Sequence, residues 1–323
     1  MIYMRILISR PVPEEMLVKY REEFEVVLPD HALSHDELRE SIAGFDALFA
    51  IGAKVDRDII DAGTALKAVA NFGVGYDNID WKYCTEKKIA VVNTPTKVTE
   101  ATAEHTVALI MNTIRCVSKY DRDIRDGKWH FRTIADCDSQ VSGSTLGILG
   151  FGRIGKFVAK KCRGLGMNVI YYDVYRASKE VEEEYGVTFM TFDEVLANAD
   201  CISLHMPYFP ENHHIFNIDT FRKMKPSAFF VNCARGPLVK EDDLYEALKD
   251  GIIKGAGLDV FEKEPQIYEP LKRLDNIVMT PHIASATVPA RTGMLHEALG
   301  GIVAVLKGEV PCNVINKDVL VQR

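Results

Sequence analysis

Three loop positions in the second half of the chain carry side chains whose chemistries complement one another. Arg235 sits in Cys233-Ala234-Arg235-Gly236-Pro237, just beyond the apolar run 228–232. Its planar guanidinium matches a carboxylate with two parallel hydrogen bonds. His282 sits in Thr280-Pro281-His282-Ile283-Ala284-Ser285, beyond the run 277–280. Histidine is the side chain suited to moving a proton near neutrality. Glu264 follows Gly257-Leu258-Asp259-Val260-Phe261 and precedes Pro265. A carboxylate bonded to His282 would fix the ring tautomer and favour the charged imidazole. Each residue alone could be a loop side chain satisfied by its neighbours. Three of them, each beyond a strand end, point to an anion clamp beside an acid–base pair.

A dinucleotide site needs such a substrate clamp and proton donor, and the middle of the chain supplies a candidate for one. Gly147-Ile148-Leu149-Gly150-Phe151-Gly152-Arg153-Ile154-Gly155 reads as a strand entering a glycine turn. A helical pattern follows at once and stops near Gly166. Gly150 permits the tight turn, Gly152 lets backbone approach a pyrophosphate, and Gly155 lets helix and strand pack closely. The next strand, 168–172, ends in Asp173, the position expected to hold a ribose 2′-hydroxyl. The glycine spacing alone is a weak signal. Strand, helix and acid together predict dinucleotide binding.

Other polar residues carry less. His213-His214 could suggest a metal. Adjacent positions on an extended chain face opposite sides, and no carboxylate–cysteine set accompanies them, so no metal site is expected. His105, beside Glu104, is read as structural. Trp81 and Trp129 are read as packing residues, and Glu180–Glu184 as a solvated helix face.

The elements that must position these groups alternate between strand and helix. Strands are predicted at 5–9, 24–28, 46–51, 66–70 and 89–92, with helices between them, one opened by the capping box Ser34-His35-Asp36-Glu37. A long helical pattern runs from Thr99 to about Arg125 and is the candidate crossing between domains. A second series follows the glycine turn, with strands at 168–173, 201–205, 228–232, 255–260 and 277–280, a capping box at Thr191-Phe192-Asp193-Glu194, and a helix at about 241–249. From Ser285 to about Lys307 the pattern is helical and is expected to return to the first domain beside the other crossing, as a hinge. The predicted class is α/β, with two Rossmann- or flavodoxin-like, doubly wound parallel-sheet domains and a cleft between them. The expected division is 1–98 plus 287–323 for substrate and 99–286 for the cofactor.

Composition narrows the function classes. The 323 residues are 47% hydrophobic and 26% charged, which suits a globular protein with a sizeable core. A net charge of −7 gives no electrostatic support for nucleic acid or an anionic membrane. No apolar run reaches membrane-spanning length, and the N-terminus shows no signal-peptide pattern. Seven cysteines without C-x-x-C spacing read as reduced thiols in a cytoplasm.

The motifs together resemble the D-isomer-specific 2-hydroxyacid dehydrogenases. The resemblance rests on Asn71-Phe72-Gly73-Val74-Gly75-Tyr76-Asp77-Asn78-Ile79-Asp80, Asn93-Thr94-Pro95, Glu100-Ala101-Thr102-Ala103-Glu104-His105-Thr106, Gly150 to Gly155, Asn232-Cys233-Ala234-Arg235-Gly236, Gly257-Leu258-Asp259-Val260 with Glu264, and Pro281-His282. It covers nearly the whole chain, in the family's order, and is of the short form without a regulatory domain, similar to D-lactate dehydrogenases and hydroxypyruvate/glyoxylate reductases. It implies Arg235, Glu264 and His282 as a catalytic triad. It implies backbone N–H groups of Val74 and Gly75 on the substrate carboxylate with Arg235. Arg153 and Ile154 would meet the pyrophosphate and Asp173 the adenine ribose. Met206, Pro207 and Asn212 would line the adenosine and phosphate side. Thr106, Cys233, Ala234 and Asp259 would lie towards the nicotinamide. The resemblance also implies a homodimer built on 99–140.

Two departures bear on the substrate. Relatives acting on phosphoglycerate carry an Arg-Ser before a Thr-Lys, whereas here the stretch is Ala50-Ile51-Gly52-Ala53-Lys54. That argues against a phosphorylated substrate. The arm at 130–138 lacks the aromatic pattern of glyoxylate/hydroxypyruvate reductases, which leaves room for a bulkier or different group. Asp173 favours NAD over NADP by repelling a 2′-phosphate, with Arg176 nearby as a counter-indication. The expected activity is reversible hydride exchange between NAD(H) and a 2-oxo acid or D-2-hydroxy acid. An NAD-sensing scaffold resembling co-repressors on this fold is the alternative of another class. Formate dehydrogenases share the fold but have no use for the His–Glu pair.

Overall fold

The protein is described from a computed structural model, which covers residues 4–129, 131, 133 and 139–321. The chain divides into two compact units, Met1–Val98 with Ala286–Arg323, and Thr99–Ser285.

The first unit is a five-stranded parallel sheet. Its strands are β1 (Arg5–Ile8), β2 (Glu25–Val27), β3 (Ala47–Ala50), β4 (Ala68–Asn71) and β5 (Ala90–Val92), in the order β2-β1-β3-β4-β5. This is the flavodoxin-like order. Both faces are buried, so the strands read as continuous apolar runs rather than alternating ones. Ile6 and Ile8 pack on one face with Leu295, Leu299 and Ile302 of the helix Val288–Leu306. Leu7 packs on the other with Leu38, Ile59 and Val69. The unit is therefore closed by the far end of the chain. The Val91 N–H donates to Asn316 Oδ1 at 2.8 Å, and Asn313 Nδ2 donates to the Asn93 carbonyl at 2.7 Å.

The second unit is a seven-stranded parallel sheet of β6 (Thr145–Leu149), β7 (Asn168–Tyr172), β8 (Val187–Phe189), β9 (Cys201–Leu204), β10 (Phe229–Asn232), β11 (Gly255–Leu258) and β12 (Ile277–Met279). Their order is β12-β11-β10-β9-β6-β7-β8. The winding direction reverses between β6 and β9, the point at which such sheets bind ligands. Leu146 and Ile148 face one core, and Leu149 faces the other with Phe216, Phe221 and Phe230.

Two departures from the sequence reading are local. The pattern expected to run unbroken from Thr99 to Arg125 is two helices, Thr99–Arg115 and Val117–Arg125, broken at Cys116, whose φ is 53°. No glycine or proline marks the break. The short edge strand β8 was not anticipated; it follows Gly186, which ends the preceding helix in the left-handed conformation. Among the described residues, no helix is long and apolar enough to cross a membrane.

Candidate active site

The glycine turn sits at the reversal point of the second sheet. At Gly150, with φ 99°, a Cβ would stand 2.6 Å from the His205 carbonyl carbon and the Met206 nitrogen. Only glycine lets the end of β6 lie against the end of β9. At Gly155 a Cβ would stand 2.3 Å from the Gly150 oxygen, so this residue seats the helix Arg153–Gly164 on the turn. At Gly152 a Cβ would meet nothing within 4 Å. Backbone is thus open there to an approaching group, directly before a helix start that no side chain caps.

Asp173 accepts from the Phe151 N–H at 2.7 Å and the Tyr175 N–H at 3.0 Å, tying the glycine turn to the end of β7. Arg176 is engaged elsewhere, forked onto Glu182 at 2.8 and 2.9 Å. The open cradle at Gly152, the uncapped first turn at Arg153 and Ile154, and the acid at Asp173 fit a dinucleotide.

The remaining residues expected to line that site fall in two groups. Met206 and Pro207 follow β9, and Asn212 holds their loop by accepting from the Phe209 N–H and donating to the Pro207 carbonyl at 2.8 Å. Thr106 and Cys233 are buried. The Thr106 hydroxyl donates to the Thr102 carbonyl, and burial pushes the Cys233 thiol up to about 12. Ala234 is half-buried next to it.

Arg235 is set by the end of β10. The buried Asn232 side chain accepts from the Ala234 N–H at 2.9 Å and donates to the Arg235 carbonyl at 2.9 Å, which fixes the turn. At Gly236 a Cβ would stand 1.8 Å from the Phe261 oxygen. The loop bearing Arg235 therefore lies in backbone contact with the loop bearing Glu264. That second loop is organised by Glu241, which accepts from the Glu262 and Tyr268 N–H groups at 2.8 and 3.3 Å. Sequence reasoning saw Glu241 only as a helix start, because no local pattern reveals a contact across 21 residues.

Glu264 and His282 meet. Glu264 Oε2 lies 2.7 Å from His282 Nδ1, and Oε1 accepts from the Phe261 N–H at 3.0 Å. Burial acts to raise the Glu264 carboxyl. The His282 and Phe261 hydrogen bonds and the nearby Arg235 charge outweigh it, so the group is held below the usual carboxylate range.

His282 itself has φ 52°, a conformation that residues other than glycine seldom adopt. Asp259 enforces it. The Asp259 carbonyl accepts the His282 N–H at 2.8 Å, and its carboxylate accepts from Ile283 N–H, Ala284 N–H and Thr280 Oγ1 at 2.9, 2.9 and 2.6 Å. His105 Nε2 stands 3.4 Å from the same carboxylate and 3.1 Å from Thr280 Oγ1. Asp259 is fully buried. Burial acts to raise it, yet these bonds together hold it below its ordinary value. Asp259, which the sequence reading placed towards the nicotinamide, is bonded through its carboxylate to the His282 loop.

The reading of His213-His214 is corrected. His214 has φ 54°, so the chain is not extended there, and the two rings stack with centroids 3.7 Å apart. His214 Nε2 bonds Glu262 Oε1 at 3.0 Å, and the three side chains bring ligand atoms within 4.8 Å.

In the first unit, Val74 and Gly75 lie in the loop after β4. The arm at 130–138 lies almost wholly outside the described residues.

Residues 107–284 match the D-isomer specific 2-hydroxyacid dehydrogenase, NAD binding domain. A glyoxylate reductase from Thermococcus onnurineus is 40% identical over 98% of this chain and 97% of its own. The chain belongs to the D-isomer specific 2-hydroxyacid dehydrogenases. A solved structure of the same fold, the TT0316 protein of Thermus thermophilus, has a TM-score of 0.89 and 36% identity, covering 97% of this chain and all of the other. The NADPH-dependent glyoxylate/hydroxypyruvate reductase of Sinorhizobium meliloti, solved with NADP and malonate, has a TM-score of 0.85 and 29% identity, over 98% and 97% of the two chains.

As a member of that family, the protein is an NAD(P)-dependent 2-oxo acid reductase, and NAD is its cofactor. In this 2-hydroxyacid dehydrogenase Gly150, Asp173, Met206, Arg235, Glu264 and His282 all follow the carboxyl ends of the parallel strands β6, β7, β9, β10, β11 and β12.

Proposed function

We propose that this dehydrogenase reduces a small 2-oxo acid to the D-2-hydroxy acid, reversibly, with His282 as general acid and base. The observation that carries the reading is the 2.7 Å contact between His282 Nδ1 and Glu264 Oε2. NADH supplies the hydride that C2 of the acid receives. His282 gives its Nε2 proton to the carbonyl oxygen, so R–CO–COO⁻, NADH and H⁺ become R–CHOH–COO⁻ and NAD⁺. Glu264 accepts a hydrogen bond from the His282 Nδ1–H and stabilises the charged ring before transfer. The Arg235 guanidinium pairs with the carboxylate and polarises the carbonyl, and the N–H groups of Val74 and Gly75 are further donors to the carboxylate. Gly152, Arg153 and Ile154 receive the pyrophosphate, and Asp173 the adenine ribose. Met206, Pro207 and Asn212 flank the adenosine side, and Thr106, Cys233, Ala234 and Asp259 back the nicotinamide end.

For the substrate we favour a glyoxylate-sized acid, as the names of the curated relatives suggest, over the bulkier group that the arm sequence allowed. For assembly we favour a homodimer through 99–140, supported by Val117, Ile124, Trp129 and Phe131, which all stand exposed. Light scattering tests that pairing.

The deciding experiment follows NADH and NADPH oxidation against glyoxylate, pyruvate, hydroxypyruvate, and branched, aromatic and phosphorylated 2-oxo acids. Fast oxidation of NADH by an unphosphorylated member, lost in His282→Ala, supports the reading. Tight NADH binding with no turnover of any member overturns it in favour of a sensing role.

A further inference from the structure

The loop after β4 is built so that its carbonyls are occupied and its N–H groups are not. The Gly73 carbonyl accepts from the Thr94 N–H at 2.9 Å. The Val74 carbonyl accepts from Asn93 Nδ2 at 2.7 Å. The Gly75 carbonyl accepts from Asn71 Nδ2. The N–H groups of Gly73, Val74, Gly75 and Tyr76 have no partner among the described residues. Three successive carbonyls drawn to one set of donors leave the donors of the same peptides turned away from them, a backbone concavity suited to an anion.

The donors are themselves fixed. Asn71 and Asn93 are each 6% exposed. Asn71 Oδ1 accepts from Asn78 Nδ2 at 3.0 Å, and the same Nδ2 donates to the Ala53 carbonyl at 2.8 Å. Asn78 thus ties the loop after β4 to the loop after β3, in the stretch 50–54 that argued against a phosphorylated substrate. An amide is the side chain this duty needs. It donates to Gly75 and accepts from Asn78 at once, which neither a carboxylate nor an apolar group of that size does.

We propose that Asn71, backed by Asn78, is a positioning residue for the substrate carboxylate: it sets the Gly73–Gly75 peptides with their N–H groups presented to the anion. The inference rests on the reading that those N–H groups receive the carboxylate of a 2-oxo acid. Asn71 touches neither substrate nor cofactor in this assignment, so its loss acts on the acid and spares NADH.

The test is steady-state kinetics of Asn71→Ala with glyoxylate, together with competitive inhibition by oxalate, an unreactive carboxylate probe. We expect KM for glyoxylate and Ki for oxalate to rise together by about tenfold, the loss of roughly one buried hydrogen bond's orienting effect. KM for NADH and its Kd by fluorescence should stay at the wild-type values. An unchanged glyoxylate KM and oxalate Ki would overturn the proposal, as would an equal rise in KM for NADH, which marks a general structural role. Should Asn71→Ala fail to fold, Asn78→Ala decides by the same readouts, with a smaller rise expected and no rise overturning it. The underlying reading fails separately, and takes the proposal with it, if the wild-type enzyme neither turns over any 2-oxo acid nor binds oxalate.

Discussion

His282 Nδ1 lies 2.7 Å from Glu264 Oε2, while the other oxygen of Glu264 is bound to its own loop at the Phe261 N–H. The carboxylate is therefore aimed before any substrate arrives, and Nε2 is the ring atom left to exchange a proton. Replacing His282 by Ala should lower kcat by about 10²–10⁴-fold with NADH affinity unchanged. Stopped-flow turnover alongside NADH fluorescence checks both, and a wild-type kcat would remove His282 from the chemistry.

Glu264→Gln keeps the shape and removes the charge. Because its partners hold Glu264 below the usual carboxylate range, the wild-type residue is anionic throughout the neutral region. A neutral amide stabilises the charged imidazole less. Reduction of the 2-oxo acid should fall by about ten- to a hundredfold in kcat/KM, and its alkaline limb should move to lower pH. A pH–rate profile that keeps its alkaline limb in place would show that the pair does not act as a charged unit.

Asp259 should couple stability to pH in a defined direction. Its folded carboxyl titrates below its ordinary value, so its contribution is complete above the unfolded pKa and is lost as pH falls through the folded one. Asp259→Asn should cost about 2–4 kcal/mol near pH 7, where a buried, multiply bonded charge is removed. The gap in Tm from wild type should then narrow below about pH 4, where the unfolded carboxyl takes up its proton. A gap that is constant with pH would mean that the charge of Asp259 is not what holds the His282 loop.

Much of the second unit was legible because its signals are local. Gly150, Gly152 and Gly155 announce their own turn, and Asp173 closes the next strand in line. The contacts that aim the side chains are not local. Asn232 pins Arg235 within three residues, but Glu241 organises the Glu264 loop from 21 residues away, and His105 reaches Asp259 from the far end of the unit's sequence. The misreading of His213-His214 and of the helix through Cys116 has a common cause. Both turn on a left-handed backbone at a residue other than glycine, at His214 and Cys116, and side-chain type gives no notice of that.

Gly236 offers a test of how tightly the two loops are joined. A methyl group there would enter the Phe261 carbonyl, 1.8 Å from its oxygen, with backbone and not a flexible side chain in the way. Gly236→Ala should destabilise the protein by about 1–3 kcal/mol or more. It should also depress kcat at temperatures where the fold persists, since Arg235 and Glu264 are displaced from each other. A variant with unchanged Tm and kcat would show that the loops part freely.

The first sheet has a consequence for how the protein is born. Its β1 and β5 depend on the helix Val288–Leu306 and on Asn313 and Asn316, all of which are made after Thr99–Ser285. The whole of Thr99–Ser285 emerges in between. At about 5–20 residues per second, a ribosome leaves the apolar face of Ile6, Ile8 and Val92 without its cover for tens of seconds, while the unit that forms the seven-stranded sheet is being made. The first unit, begun before the second, can be closed only after the second has been synthesised.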